Sequence, residues 1–248
     1  MCSPATSLGV WARSWLAAES APDDVLDALA LWSPQHHVVA SDSVTSSMGL
    51  LDLLNGVRAA SGPDALVTVL LPVPGDVRGL PGGTAFANAA VTAGEAVVVG
   101  APAAAGVGVV PERPSPDLLQ WRLFDVVVPV APAVESLGEA EYAMREAVRE
   151  AASALTRLQR VGIGSVGDPR ALVEEELSRC APHRYPESMP LRARRVFDAA
   201  EHVAAILAVA ARTPATAAAS ASAAGHEEGT LRPLREALRA ARLAALNA

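Results

Sequence analysis

The stretch from Leu70 to Gly100, LLPVPGDVRGLPGGTAFANAAVTAGEAVVVG, constrains the fold more than any other part of the chain. An apolar run ends in a loop dense in proline and glycine that carries one acid, Asp76, and one base, Arg78. Small residues with helical character follow, and then a second apolar run. The pattern predicts strand, shaped loop, helix and strand. Loops held on such a scaffold often carry function.

The flanking sequence extends this pattern. Leu8, Trp11 and Trp15 share a helical face, as do Val25, Leu29 and Trp32, so two short amphipathic helices are predicted, with their tryptophans in the core. Pro22, Asp23 and Asp24 suit the start of the second helix. Strands are predicted at His36–Ala40, Ala65–Leu71, Ala96–Val99, Val107–Val110 and Trp121–Val128. The almost wholly apolar Ala65–Leu71 run reads as a central buried strand. Met48–Ala60 reads as a helix packed on the sheet, and Gly100–Gly106 as a hairpin turn. The expected fold class is α/β, a mixed sheet of about five strands with helices and some parallel pairs, followed by a mostly helical C-terminal region.

After Pro129 the period changes. Leu137, Ala140, Met144, Val148, Ala151, Leu155 and Leu158 step by three and four along one long helix. Shorter stripes follow at 168–180, 196–210 and 231–238. The expected division is a mixed α/β domain over 1–130 and a helical region over 131–248, with a flexible loop at about 212–229 in the low-complexity run TPATAAASASAAGHEEG.

Composition removes several function classes. Lysine is absent, so all 20 basic residues are arginine, and the formal net charge is −7. That balance argues against nonspecific nucleic-acid binding, which needs a basic surface. Uncharged Ala96–Pro111 runs 16 residues and is broken by glycines and prolines, so no membrane span is expected. The first twenty residues lack a basic segment followed by an apolar one, so no signal peptide is expected. Two cysteines, Cys2 and Cys180, make a disulfide framework unexpected, and a cytoplasmic, soluble protein fits.

The 72–84 loop is the first candidate site. Gly82, Gly83 and Thr84 precede a predicted helix, whose N-terminal amides suit a phosphate or carboxylate, and Arg78 could add a bidentate contact. The loop lies at the carboxyl end of a strand, where open α/β sheets place ligands. Alternatively, prolines and glycines merely shape the connection and Asp76 pairs with Arg78. A P-loop is not supported, because its Lys-Ser/Thr is missing. Gly162, Gly164 and Gly167 match a dinucleotide spacing, but they follow a helix rather than a strand and read as its cap and turn. Cys180 and His183, with His36 and His37 far upstream, do not make a four-ligand metal set, so neither metal nor cofactor is expected. Arg192, Arg194 and Arg195, with Arg184 nearby, form a basic cluster, and Glu174, Glu175 and Glu176 offer an internal counterpart. Asp125 shares a strand face with Trp121, Leu123 and Val127. It reads as an edge-strand residue, an arginine partner or a site acid.

LPVPGDVRGLPGG, followed by AGEAVVVG, and the C-terminal LRPLREALRAARLAALNA resemble a conserved family of uncharacterised actinobacterial proteins. The resemblance covers most of the chain and implies a cytoplasmic bacterial protein. It supplies no activity and no catalytic residues. The sequence therefore favours a non-enzymatic protein that binds a protein partner or a small anionic ligand. The alternative is an enzyme acting on a phosphorylated or carboxylated small molecule, with Asp76, Arg78 and Asp125 lining its site.

Overall fold

The computed structural model describes residues 2–40, 49–130, 135–158, 168–212 and 221–248. Helices α1 (Pro4–Leu16) and α2 (Pro22–Ala30) lead into strand β1 (Gln35–Ala40). Helix α3 (Leu50–Ala60), β2 (Leu66–Leu70), α4 (Ala85–Ala93), β3 (Ala96–Gly100), β4 (Ala105–Ser115) and β5 (Leu118–Val127) follow. The C-terminal half is helical: α5 (Leu137–Leu158), α6 (Pro169–Ser178), α7 (Leu191–Arg212) and α8 (Ala221–Leu246). The five strands form one mixed sheet in the order β1-β5-β4-β3-β2. One pair, β1 with β5, is parallel; the other three are antiparallel.

Side-chain alternation along the strands sorts the core into layers. Val67, Val97, Val99, Val107, Val109 and Trp121 project onto one face and meet Leu8, Val25, Leu29, Leu53 and Val57 of α1–α3. Leu70, Val98, Val110, Phe124 and Val126 project onto the other and surround Phe86 and Ala90 of α4. Two glycines permit this packing. A Cβ on Gly9 of α1 would lie 2.2 Å from the Val69 side chain, and one on Gly108 would lie 2.6 Å from the Phe86 ring. A third cluster joins the halves: Val10, Val69 and Leu71 pack with Phe197, Leu231, Leu234 and Leu238 of α7 and α8.

Three expectations change. The Ala65–Leu71 run contains β2, which lies at the sheet's edge rather than its centre. It is apolar because α8 and its neighbours cover that edge. Arg13 donates to Val67 O at 2.7 Å. Val69 N donates to Asn247 Oδ1 at 2.8 Å, and Asn247 Nδ2 donates back to Val69 O at 3.1 Å. Arg239 donates to Leu71 O at 3.2 Å. Second, Cys2 and Cys180 form a disulfide, with Cα atoms 5.9 Å apart. Their spacing of 178 residues hid the pairing; it arises where the start of α1 meets the chain after α6. Third, α8 begins at Ala221, so residues 221–229 of the low-complexity run are helical. Residues 213–220 lie outside the described residues.

The segment after α6 is anchored on the N-terminal helices. Trp11 Nε1 donates to Arg184 O at 3.0 Å, and Ser188 Oγ donates to Ser14 Oγ at 2.8 Å. Trp32 stacks on His183 with ring centroids 3.6 Å apart. These tryptophans therefore act as packing anchors. Among the described residues, no helix is long and apolar enough to cross a membrane.

Two outcomes are expected. Val69 is fully buried, so Asn247→Ala leaves its amide and carbonyl without water or partner. Urea unfolding should then show a loss of about 1–3 kcal/mol. Opening the Cys2–Cys180 bridge, by reductant or by Cys180→Ser, should lower stability by roughly 2–4 kcal/mol. Added reductant should leave the variant's unfolding curve unchanged.

Candidate functional site

The loop after β2 turns back on itself immediately. Val73 N donates to Asp76 O at 3.1 Å and Asp76 N to Val73 O at 2.9 Å. Pro74 and Gly75 occupy the corner, and Gly75 has φ +89°, as a type II turn requires. The turn holds Asp76 over the side of α8. Asp76 Oδ1 accepts from Arg78 Nε at 2.9 Å, and Oδ2 accepts from the same guanidinium at 2.7 Å. Arg239 of α8 also donates to Oδ2. The Arg78 hydrogen bonds, reinforced by Arg239, hold the Asp76 carboxyl well below its usual range against the opposing effect of burial. The two arginines differ in setting: the Arg239 side chain is 13% exposed, that of Arg78 71%.

Beside this network, between the α4-side face of the sheet and α8, lies a cavity of about 150 Å³. Its walls are mostly hydrocarbon: Leu70, Val98 and Val128 on the sheet side, Ala240 and Leu243 on α8. Arg78, Arg239 and Glu135 also line it, as do Thr68 and Asn247. Arg239 on α8 and Asn247 just past its end are eight residues apart, so these polar groups are spread over about 12 Å. A wider groove runs along the outer side of the loop, between Val73–Leu80 and Arg232, Glu236 and Arg239.

The structure brings Asp76 and Arg78 together and sets Arg78 at the cavity. The pairing weighed from sequence is present, with Arg239 as an added partner. Gly82, Gly83 and Thr84 do not line the cavity. Thr84 caps α4 itself, accepting from Ala87 N at 3.1 Å, so that helix end already has one donor engaged. Asp125 is exposed on the opposite sheet face from Phe124 and Val126. Its strand is not an edge strand: Asp125 pairs with Val107 of β4, and on the other side the described register with β1 runs to Leu123.

The other candidates disperse. Arg192 pairs with Glu141 of α5 at 2.9 Å, and Arg194 donates to Pro186 O at 3.1 Å. Neither uses the acids at 174–176, and Glu176 pairs with Arg179 at 3.2 Å. His36 takes the Trp121 indole proton on Nδ1 at 3.1 Å and faces Ser33 O with Nε2 at 3.0 Å. These contacts assign a neutral ring protonated on Nε2, and burial lowers the His36 pKa. The described residues contain no group of three His, Cys, Asp or Glu that could hold a metal ion. Gly162, Gly164 and Gly167 lie outside the described residues. Sequence reading missed Arg239 and Asn247. Arg239 is one of several arginines on α8, and nothing local marks its acid. Asn247 stands out only as the last polar side chain after an apolar run.

The family described as Rv1486c-like protein matches the chain in two parts, its N-terminal domain over residues 5–136 and its C-terminal domain over 138–243. An uncharacterized protein of Mycobacterium tuberculosis is 43% identical over 286 residues, covering 100% of this chain and 97% of that protein. An uncharacterized protein of Mycobacterium leprae is 38% identical over 292 residues, and one of Mycobacterium avium is 34% identical over 304. Both alignments cover 100% of this chain and 97% of the relative. No solved structure matches the chain significantly.

The lowered Asp76 pKa sets a pH dependence. The folded state favours the charged carboxyl, so its stabilisation is present above the ordinary value of 3.8 and is lost as pH falls below it. Wild type should exceed Asp76→Asn by about 1–3 kcal/mol in urea unfolding at neutral pH. The gap should close progressively once the pH falls below about 4.

Proposed function

Because the chain belongs to the Rv1486c-like family of actinobacterial proteins, whose compared relatives carry no assigned activity, we propose its function from the cavity: it is a non-catalytic binding protein for a small anionic molecule. The supporting observation is an apolar recess with two guanidiniums at its lining and no histidine, cysteine or serine among its lining residues. Ligand pockets have this composition, mostly hydrocarbon with few orienting polar groups. An enzyme needs a group poised to take or give a proton. Asp76, held ionised by two arginines, has too little proton affinity for that work, and Glu135, the other carboxylate at the recess, is exposed to solvent. Asp125 lies on the other side of the sheet and cannot join it.

The reading places the protein, soluble, in the cytoplasm on its composition. The Cys2–Cys180 disulfide is the observation against that compartment. Alkylating cells before lysis decides the matter: modified cysteines support a reducing location, protected cysteines an oxidising one.

Methyl-detected NMR with a panel of small organic anions tests binding. Shifts should centre on Val98, Val128 and Leu243 and vanish in Ala240→Leu, which fills the recess. Thermal melting checks that the variant folds. Perturbations confined to Val73 and Val77 would instead favour a protein partner on the outer groove. An absence of perturbation with every anion would overturn the small-ligand reading.

A further inference from the structure

Resting on that cavity reading, we infer that the ligand is a monocarboxylate with an apolar body of about six heavy atoms. The size follows from the space. A recess of about 150 Å³ has room for a benzene-sized group. The walls facing that body, Leu70, Val98, Val128 and Leu243, offer hydrocarbon and no hydrogen bonds from their side chains.

The head group follows from charge and donors. At the recess Arg78 and Arg239 stand against Glu135 of its lining and Asp76, which both arginines bind. A monoanion moves this balanced set by one charge, a phosphate monoester by nearly two. With the set already balanced, the second charge meets no further cation to offset its desolvation. A guanidinium carries five N–H donors. Arg78 commits its Nε and one terminal nitrogen to Asp76, and its other terminal nitrogen makes no hydrogen bond among the described residues. Arg239 is tied to both Leu71 O and Asp76.

These two settings allow an exchange. Exposed Arg78 can turn its planar fork from Asp76 to an incoming carboxylate, a bidentate geometry that suits that group. Buried Arg239 keeps its bond to Asp76 meanwhile, so Asp76 is not left unpaired. A neutral head group gives Arg78 no reason to move. Arg78 is therefore the specificity residue, and Arg239 positions Asp76.

Isothermal titration with butyrate, hexanoate and octanoate, beside hexanol and hexyl phosphate, separates the possibilities. Affinity should rise about fourfold per added methylene until the cavity is full, and then level. Hexanoate should bind at least tenfold more tightly than hexanol, and more tightly than hexyl phosphate. In Arg78→Ala, which alters a mostly exposed side chain, the hexanoate-to-hexanol ratio should fall to about one with hexanol binding unchanged. Hexanol binding as well as hexanoate to wild type, or hexyl phosphate binding more tightly, sinks the carboxylate assignment and leaves the cavity reading intact. No binding by any of the five compounds, with the anion panel also silent, sinks both.

Discussion

The outer edge of β2 is the constraint on which the rest of the structure depends. A strand at a sheet's edge presents unpaired amides and carbonyls. Here that edge is buried, so each group needs a partner. Arg13, Asn247 and Arg239 supply partners at Val67, Val69 and Leu71 in turn. The Asn247 amide both donates and accepts, as a neighbouring strand would. Arg13 also holds the chain's end, donating to Leu246 O at 2.6 Å and Ala248 O at 3.1 Å. The last turn of α8 therefore completes the sheet, and the two halves share a core cluster around Val69 and Leu71.

The cavity is a consequence of that docking. Hydrogen bonds to the strand edge position α8, and a recess is left between it and the sheet face beside Thr68 and Leu70. Arg239 has two tasks there. It satisfies the edge at Leu71 and also fixes Asp76, so the loop after β2 and the C-terminal helix are held by one guanidinium. A change in either half is felt at the same place. The disulfide and the tryptophan anchors add a second attachment near α1.

Local patterns were legible wherever neighbours in sequence decide the outcome. The type II turn is implied by Pro74-Gly75, the cap of α4 by Thr84, and the long stripe of α5 by its three-and-four spacing. The Asp76–Arg78 pair could be weighed because the two residues are two apart. The edge position of β2 was misread for a physical reason: burial on both faces gives the same apolar run whether the strand is central or covered at its edge. The disulfide and the Arg239 contact were invisible because their partners lie 178 and 163 residues apart.

By itself the sequence determined the class: a five-stranded mixed sheet with helices, a helical second half, and a shaped loop bearing an acid and a base. Those follow from periodicity and turn chemistry, which act over a few residues. Only the tertiary structure decided that β2 lies at the edge, that α8 seals it, and that Asp76 answers to two arginines. Strand order and helix docking depend on which distant backbone groups are left needing partners, and that is known only once the chain has come together.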